Sequence, residues 1–342
     1  MVEPGAPRDH ARVSLVGQEL GGRYRVIKQI GKGGMATVFH VEDTELSEEV
    51  ALKLFNAGDD DPAALARFRQ ELKLSRQLVH PNIVRLYDIG VDQGRRYLTM
   101  ELLSGRDLHA FMGRPMAFGR GLNYLMQACA GLFAAHQQGV VHRDIKPENL
   151  FITDKGVLKV MDFGIAKGQV KSGMTMEGVT AGTPKYMSPE QINSFGQVTA
   201  ATDLYAMGIV AYEMFTGRCP FDGDQLMHIL MAQMSQPPPP PRQFNAAIPE
   251  ALERIILKCL EKDPTQRFAT ARDLAMALDP LRRHFEGQRA PETWPRGGLV
   301  RRDSELAHHA NRDAGEPAVA AAAPEFLQGE RVGPSAVSQL SQ

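Results

Sequence analysis

Hydrophobic positions follow two different periods along the chain, and the change from one to the other predicts two structural parts. Between residues 24 and 101 the apolar residues form short runs of the kind found in β-strands, mostly separated by turn residues. One helix interrupts them, because Asp61 is suited to an N-cap and apolar residues then recur at steps of three and four as far as Leu72. The predicted strands comprise residues 24–30, 37–41, 50–55, 83–87 and 97–101.

From about residue 105 to residue 284 the apolar positions recur mainly with the helical period. Residues 204–215 are apolar on nearly all sides, which predicts a buried central helix. Thr270 and Asp273 form a capping-box pair at the start of the last helix. A single hairpin is predicted in this part, at residues 150–161. The pattern therefore predicts an α+β chain, with a β-rich small lobe followed by a helical large lobe.

The two ends of the chain lack both periods. Residues 1–22 are polar, and residues 286–342 are rich in Pro, Ala, Gly and Gln, so we expect a disordered N-terminal segment and a disordered tail. Residues 237–241 are five consecutive prolines, which adopt polyproline II. We interpret this run as a rigid connector between two helices, although such a run also suits an SH3-like or WW-like partner.

Composition and charge exclude several function classes. Among 342 residues, 39 Lys and Arg nearly balance 40 Asp and Glu, so no bulk charge favours nucleic acid or an anionic membrane as a partner. The three cysteines lie far apart without a C-x-x-C pair, which indicates neither zinc nor disulfides and favours a reducing compartment. The sequence contains neither a signal-peptide pattern nor an 18-residue apolar run, so we expect a cytoplasmic protein.

The first candidate for chemistry is a glycine-rich turn between two predicted strands. Glycines lack a Cβ, so backbone amides in such a turn can approach phosphates closely. Ala36 stands where the pattern G-x-G-x-x-G has its third glycine, and no helix follows, so a Rossmann dinucleotide site is not indicated. On its own the motif fits a plain hairpin turn equally well. The turn comprises Ile30, Gly31, Lys32, Gly33, Gly34, Met35, Ala36, Thr37 and Val38.

A lysine and a carboxylate form the second candidate. Lys53 lies inside the apolar predicted strand at 50–55, where an ammonium group is costly to bury unless it is paired. Glu71 lies at the edge of the inward face of the predicted helix and could supply the partner. The alternative is a purely structural ion pair.

The strongest candidate combines residues 142–149, His-Arg-Asp-Ile-Lys-Pro-Glu-Asn, with residues 162–164, Asp-Phe-Gly. The hairpin predicted between them can bring Asn149 and Asp162 to one place. Two oxygen ligands near a phosphate-binding turn suit Mg²⁺, a hard cation that takes few protein carboxylates.

Two charged residues accompany this candidate metal pair. Asp144 stands five residues before Asn149, outside the metal shell but near enough to meet a substrate hydroxyl. Lys146 can place a positive charge on a transferred phosphoryl group.

Together these motifs resemble the protein kinase family, and specifically the bacterial Hanks-type, eukaryotic-like serine/threonine kinases. The resemblance covers about residues 24–284, and Ser188-Pro189-Glu190, Asp203 and Arg267 follow in the family's order. It implies the two-lobed protein kinase fold. Residues 23–102 would form a small antiparallel β-rich N-lobe that contains one helix, and residues 103–285 would form a larger, mainly helical C-lobe. It also implies a structural ion pair between Glu190 and Arg267.

The resemblance further implies a role for each site residue. Lys53 would hold the α- and β-phosphates of ATP and pair with Glu71. Asn149 and Asp162 would bind Mg²⁺, or Mn²⁺ in its place, and Asp144 would orient and deprotonate the acceptor hydroxyl. The adenine and ribose would be contacted by Val38, Ala51, Met100, Glu101, Leu103, Asp107 and Phe151.

The acceptor that the resemblance implies is a serine or threonine hydroxyl of a protein. Lys146 resembles the Ser/Thr-specific pattern, and Thr183 has the family position from which its hydroxyl reaches Asp144 and Lys146. Ala36 and Phe151 depart from the family's usual residues, which are glycine in the loop and Leu or Met beneath the adenine. Neither departure removes a charged participant, so we expect activity.

Regulation by phosphorylation also follows from the resemblance. Arg143, beside Asp144, is a cation that needs an anion, and Thr175 and Thr180 occupy the stretch where activation-loop phosphosites fall in this family. We expect autophosphorylation there, through a transient homodimer for the reaction in trans.

Two other functions compete with an active protein kinase. A pseudokinase scaffold would bind nucleotide or a partner protein without transfer, but such proteins typically lack one of the residues that stand here as Lys53, Asp144 and Asp162. A small-molecule phosphotransferase of kinase-like fold is disfavoured by the Ser188-Pro189-Glu190 motif, which resembles a protein-substrate platform. The expected partners are therefore protein substrates, and neither nucleic acid nor a membrane.

Overall fold

The computed structural model describes residues 15–34, 36–56, 73–163, 183–193 and 198–286. Over these ranges a β-sheet lobe is followed by a helical lobe, which confirms the predicted two-lobed α+β architecture. In this part of the chain, no helix combines the length and the apolar character that crossing a membrane requires.

The small lobe is built on one antiparallel sheet. Its strands are β1 (Glu19–Leu20), β2 (Tyr24–Lys32), β3 (Ala36–Asp43), β4 (Glu48–Phe55), β5 (Leu86–Asp92) and β6 (Arg95–Met100). They lie in the order β1-β2-β3-β4-β6-β5. Successive side chains point to opposite faces, and the buried ones include Val26, Val41 and Leu52. The β2–β3 register shifts between Gln29 and Gly31, where the glycine-rich turn begins.

Only the end of the strand predicted at residues 83–87 is observed as sheet, because residues 86 and 87 begin β5. Strand β5 begins only at Leu86, and Ile83 forms an isolated bridge with Val160 of the large lobe. The amide of Val84 donates to the carbonyl of Val160 at 3.0 Å. Ile83 and Val84 are buried without belonging to the sheet, because Ile83 packs in the core of the large lobe and Val84 packs in the apolar cluster of the small lobe with Ala51 and Met100.

The beginning of the small lobe also differs from the prediction. Glu19 and Leu20, in the segment predicted to be disordered, pair with Arg25 and Tyr24, and Leu20 is buried. Residues 57–72 lie outside the described residues, so the predicted helix is observed only as a helical segment at 73–77.

The large lobe is organised around one buried helix. Its helices are α1 (Phe118–Gln137), α2 (Pro189–Asn193), α3 (Ala200–Thr216), α4 (Leu226–Ser235), α5 (Glu250–Cys259) and α6 (Ala271–Glu286). Helix α3 contains the apolar segment 204–215, whose side chains are almost all buried, and this confirms the predicted central helix. The side chain of Thr199 caps its N-terminus by accepting from Ala201 N, and Gly217 ends it in the left-handed conformation.

Two further sequence predictions for this lobe are confirmed. Thr270 and Asp273 form a reciprocal capping box, because each side chain accepts a hydrogen bond from the other's backbone amide. The proline run at 237–241 connects α4 to a short 3₁₀ turn, Pro241–Gln243, as expected of a connector.

A small sheet carries the loops of the candidate site. It comprises β7 (Gly105–Asp107), β8 (Leu150–Thr153) and β9 (Leu158–Val160), in that order and antiparallel. Strands β8 and β9 form the predicted hairpin. Its turn includes Gly156 at a φ of 75°, a conformation that glycine adopts without strain.

All three cysteines are buried in the large lobe. Cys129, Cys219 and Cys259 are free thiols, and burial raises the pKa of each, to about 12 for Cys259. All three are free thiols, and the sequence contains no C-x-x-C pair.

A glycine in α1 allows close contact with the segment that supports the small sheet. A Cβ added at Gly131 would lie 2.8 Å from the carbonyl oxygen of Asn82. That oxygen accepts a hydrogen bond from Val160 N at 2.8 Å, and the Asn82 side chain donates to Leu158 O at 2.8 Å. Gly131 therefore lets α1 approach the residues that hold β9 in place.

We predict that Gly131→Ala lowers the free energy of unfolding by about 1–3 kcal/mol, because the added methyl group overlaps a backbone oxygen. Alanine favours a helix by about 1 kcal/mol over glycine, so a net loss would identify the contact as the cause. Urea denaturation measures the change.

The control is Gly119→Ala in the same helix, where the added Cβ would make an ordinary contact of 3.5 Å with Phe285 O. This variant should be neutral or stabilised. Equal effects of the two substitutions would contradict the proposed role of Gly131.

Candidate active site

The loop at residues 142–149 is held from beneath by one carboxylate. Asp203, in the first turn of α3, is 1% exposed. Its Oδ2 accepts from the backbone amide of His142 at 2.8 Å and its Oδ1 accepts from that of Arg143 at 2.8 Å. His136 Nε2 donates to Oδ2 at 2.8 Å as well. These bonds fix the loop backbone where Arg143 takes a positive φ of 66°.

His142 joins this loop to the segment that carries Asp162. Its Nδ1 accepts from the amide of Asp144 at 3.2 Å, so the ring is neutral and carries its proton on Nε2, which donates to Met161 O at 2.7 Å. The ring also lies 4.7 Å, centroid to centroid, from that of Phe163. The side chain is therefore a buried connector, because both ring nitrogens are engaged with backbone.

The side chains of Asp144, Lys146 and Asn149 meet within the loop at residues 142–149. Lys146 Nζ lies 3.1 Å from Asp144 Oδ2. The amide nitrogen of Asn149 donates to the carbonyl of Asp144 at 2.7 Å and to its Oδ2 at 3.1 Å. A 3₁₀ turn, Pro147–Asn149, brings the asparagine back towards the aspartate. The structure thus brings together three residues that the sequence analysis selected.

Asp162 and Lys53 connect the two lobes. Lys53 Nζ, on β4, lies 2.7 Å from Asp162 Oδ1. The amide of Met161 donates to the carbonyl of Asn149 at 2.9 Å, so the hairpin returns the chain to the asparagine just before Asp162. Asp162 has a φ of 59°, a conformation that aspartate tolerates better than most residues. Glu71, the partner predicted for Lys53, lies outside the described residues.

The donors at this point fit a hard divalent cation. The nitrogen of the Asn149 amide is engaged by Asp144, which leaves its carbonyl oxygen as the group that can face a cation. Asp162 adds carboxylate oxygens at the end of the same hairpin. One carboxylate and one amide oxygen form the type of protein shell that a Mg²⁺ ion bound to phosphates takes.

The glycine-rich turn and the expected adenine walls lie at the end of the sheet. The amide of Gly33 donates to the carbonyl of Ala36 at 2.8 Å, which closes the turn, and Gly31 lies opposite Val38. Met35 lies outside the described residues. One apolar cluster contains Ala36, Val38, Ala51, Met100, Leu103 and Met161. Ile30, Lys32, Gly34 and Thr37 belong to the same β2–turn–β3 unit.

The segment that joins the lobes carries the remaining candidates. The amide of Glu101 donates to Arg85 O at 2.9 Å, and its carboxylate lies 2.8 Å from Lys159 Nζ. Asp107 lies opposite Phe151 across β7 and β8, and its Oδ1 caps a 3₁₀ turn by accepting from Ala110 N at 3.1 Å. One oxygen of Asp107 is therefore already engaged.

Next to the loop at residues 142–149 lies a 3₁₀ turn, Thr183–Tyr186, which we call the platform. Its side chains are held by two carboxylates: Lys185 Nζ lies 2.6 Å from Asp222 Oδ1, and Tyr186 donates to Glu213 Oε2 at 2.6 Å. Thr183 opens the turn. Thr175 and Thr180 lie outside the described residues.

The predicted structural ion pair lies behind the platform. Arg267 donates to both oxygens of Glu190, at 2.7 and 2.8 Å. Burial alone would raise the pKa of Glu190, but Arg267 outweighs it and holds that pKa below its usual value. The pair therefore stabilises the fold fully at pH values above the ordinary pKa of a glutamate. Its contribution to stability is lost as the pH falls through the lowered pKa.

Several supporting residues escaped the sequence analysis. His136 supports Asp203, and Gln191 donates from its side-chain nitrogen to Arg143 O at 2.8 Å. Lys159 pairs with Glu101 at the junction of the lobes. Each is an ordinary polar residue in a helix or strand, so no local pattern distinguishes it.

Comparison with known proteins shows similarity to protein kinases. The family model for the protein kinase domain matches residues 24–277 of the chain. The chain is 39% identical over 264 residues to the serine/threonine-protein kinase PrkC of Bacillus subtilis, which covers 76% of this chain and 40% of that protein. It is 38% identical over 301 residues to the serine/threonine-protein kinase Pkn1 of Myxococcus xanthus, covering 86% and 43% respectively. The crystal structure of the Mycobacterium tuberculosis PknI kinase domain superposes with a TM-score of 0.62 at 26% identity, covering 77% of this chain and 98% of that one.

The chain belongs to the protein kinase family, and its resemblance to the bacterial Hanks-type serine/threonine kinases is confirmed. Family membership implies ATP as phosphate donor, a divalent metal ion and protein substrates. The chain spans less than half the length of the curated relatives described above.

We predict that Asp203→Asn lowers the free energy of unfolding by about 2–3 kcal/mol, because an amide NH₂ would replace one of two oxygens that accept from three donors. Urea denaturation checks this. The matched control is Asp224→Asn on an exposed loop, which should change stability by less than about 0.5 kcal/mol. A denaturation midpoint equal to that of the parent would show that Asp203 does not support the loop.

Proposed function

We propose that the chain is an active serine/threonine protein kinase domain that transfers the γ-phosphate of ATP to serine or threonine hydroxyls of proteins. The observation that carries the proposal is the set of contacts that links Lys53, Asp162, Asn149, Asp144 and Lys146 across both lobes. A pseudokinase needs no such set, and all five residue types suit phosphoryl transfer.

The geometry supports a distinct role for each charged group. Asp144, with Asn149 and Lys146 on its Oδ2, is held in one orientation in which it can accept the proton of the acceptor hydroxyl. The hydroxyl oxygen then bonds to the γ-phosphorus, and the bond from that phosphorus to the bridging oxygen breaks to release ADP. Lys146 stabilises charge on the transferred group, and Lys53 holds the α- and β-phosphates.

Mg²⁺ is the cation we propose for Asn149 and Asp162, with Mn²⁺ as a substitute of similar preference for oxygen. When bound, such an ion would neutralise negative charge on the phosphates. Lys53 pairs with Asp162, so this lysine lies beside the proposed metal ligand, from where it would reach the phosphates of a bound nucleotide.

The nucleotide pocket we propose is lined by the glycine-rich turn and by the apolar cluster of Val38, Ala51, Met100 and Leu103. Phe151 would form its floor. The carbonyl of Glu101 and the amide of Leu103 would bind the adenine edge. The Oδ2 atom of Asp107 would bind the ribose.

The partners we propose are protein substrates, with a transient homodimer of the chain for autophosphorylation in trans. The near balance of charge gives no reason to expect nucleic acid or membrane lipid. A cytoplasmic location, where ATP and reduced thiols are abundant, remains a prediction.

We predict that Asp144→Asn reduces phosphate transfer by about 10²–10⁴-fold, because the variant cannot accept the hydroxyl proton. ATP affinity should remain within about twofold, since Asp144 faces the acceptor and not the nucleotide. Transfer of labelled phosphate to myelin basic protein and nucleotide titration measure the two quantities. The control is Asp154→Asn in the exposed hairpin turn, which should behave as the parent. Transfer by Asp144→Asn at the parental rate would contradict the assigned base.

Regulation by phosphorylation is a separate prediction. Phosphate on Thr175 or Thr180 would add about −2 charge and several acceptor oxygens near Arg143 and so order the platform. We expect phosphatase-treated parent protein to gain activity on incubation with ATP, and the double variant Thr175→Ala, Thr180→Ala to gain none. Mass spectrometry locates the phosphates. The hypothesis fails if the dephosphorylated double variant transfers phosphate as fast as the autophosphorylated parent.

A further inference from the structure

Lys262, in the loop after α5, directs its ammonium group into the large lobe. Its Nζ donates to the carbonyl of Gln233 at 2.8 Å, to the hydroxyl of Tyr205 at 3.1 Å and to the carbonyl of Ala232 at 3.3 Å. It also lies 4.2 Å from the ring centroid of Phe221. The three acceptors are neutral oxygens, so this half-buried charge is held without a carboxylate among them.

The electrostatic surroundings make this position unfavourable for a cation. Burial, followed by repulsion from Arg267, lowers the pKa of Lys262 to about 8. A lysine that served only to pack its aliphatic stem could instead extend its ammonium into water. The observed geometry therefore points to a function for the hydrogen bonds themselves.

These hydrogen bonds continue in one direction through the lobe. The Tyr205 hydroxyl accepts from Lys262 and donates to Gln233 Oε1 at 2.5 Å. The side-chain nitrogen of Gln233 then donates to the carbonyl of Lys185 at 2.5 Å and to that of Pro184 at 3.5 Å. Tyr205 and Gln233 are both fully buried. A chain of donors that begins at a cation polarises each following bond and strengthens it.

The chain ends on the backbone of the platform. Asp222 and Glu213 hold the side chains of Lys185 and Tyr186, but they do not bind the main chain of this turn. Gln233 supplies that contact, and it reaches the residue next to Thr183. The orientation of the turn, and not only its side chains, is thereby tied to α3, α4 and the loop after α5.

We propose that Lys262 is a positioning residue for the protein acceptor: through Tyr205 and Gln233 it fixes the platform backbone and so sets the affinity for the protein substrate. The inference rests on the proposed kinase function and names residues beyond it. None of the three belongs to the groups assigned to ATP, to the metal ion or to proton transfer. The effect is therefore confined to the acceptor.

The test separates the two substrates in steady-state kinetics. Lys262→Met keeps the aliphatic stem and removes the ammonium. With myelin basic protein as acceptor, its KM should rise about tenfold or more, as expected for loss of a charged hydrogen bond, while the KM for ATP stays within about twofold. Lys262→Arg restores a cation with several donors and should recover most of the affinity. Enzyme preparations are brought to the same phosphorylation state, checked by mass spectrometry, before the assay.

Two further variants keep the test decisive. Tyr205→Phe removes the relay hydroxyl at nearly constant volume, so it should raise the acceptor KM even if Lys262→Met folds poorly. The matched control is Lys258→Met: this exposed lysine lies over the ring of Phe268 and should change neither KM.

The outcomes distinguish this inference from the proposed function. A parent protein that phosphorylates no protein acceptor would overturn the kinase function itself. If the parent is active, an unchanged acceptor KM in Tyr205→Phe, or an equal rise of both KM values in Lys262→Met, would overturn the positioning role alone.

Discussion

The buried carboxylate of Asp203 is the interaction on which the site depends. Removing a carboxylate from water is unfavourable by several kcal/mol unless hydrogen bonds replace its hydration. Two backbone amides and His136 supply them here, so the fold and the loop stabilise each other. The loop in turn holds Arg143 in a backbone conformation that a free chain would rarely adopt. Because the carboxylate lies at the start of the buried helix α3, the positions of Asp144 and Asn149 are tied to the core of the large lobe.

The same support also reaches the end of the hairpin that carries Asp162. His142 contacts the backbone of Asp144 through one ring nitrogen and that of Met161, next to Asp162, through the other, so one buried imidazole joins the two segments. From Asp162 the connection crosses to the small lobe through Lys53. The two lobes are thus joined at the centre of the site by an ion pair whose lysine is also the proposed phosphate ligand. A nucleotide would compete with Asp162 for that lysine.

Local patterns predicted most of the fold and the chemical centre of the site. The strands on either side of the glycine turn, helix α3 and the β8–β9 hairpin follow from periodicity and turn residues, which depend on near neighbours in sequence. Asp144, Lys146 and Asn149 lie within six residues of one another, so their contacts were predictable. The first residues of the run at 83–87 were misassigned because the bridge partner of Ile83, Val160, lies on a distant strand. Gln233 and Lys262 carried no signal for a related reason, since only the folded chain brings them to the platform.

The burial of all three cysteines has a consequence for redox chemistry and for labelling. A thiol reacts with oxidants and electrophiles as its thiolate, and the raised pKa values keep Cys129, Cys219 and Cys259 protonated at neutral pH. With no other cysteine in the sequence, the native chain offers no accessible thiol to oxidants or to covalent inhibitors directed at thiols. Alkylation of these cysteines requires the large lobe to open, so the alkylation rate measures the opening of that core.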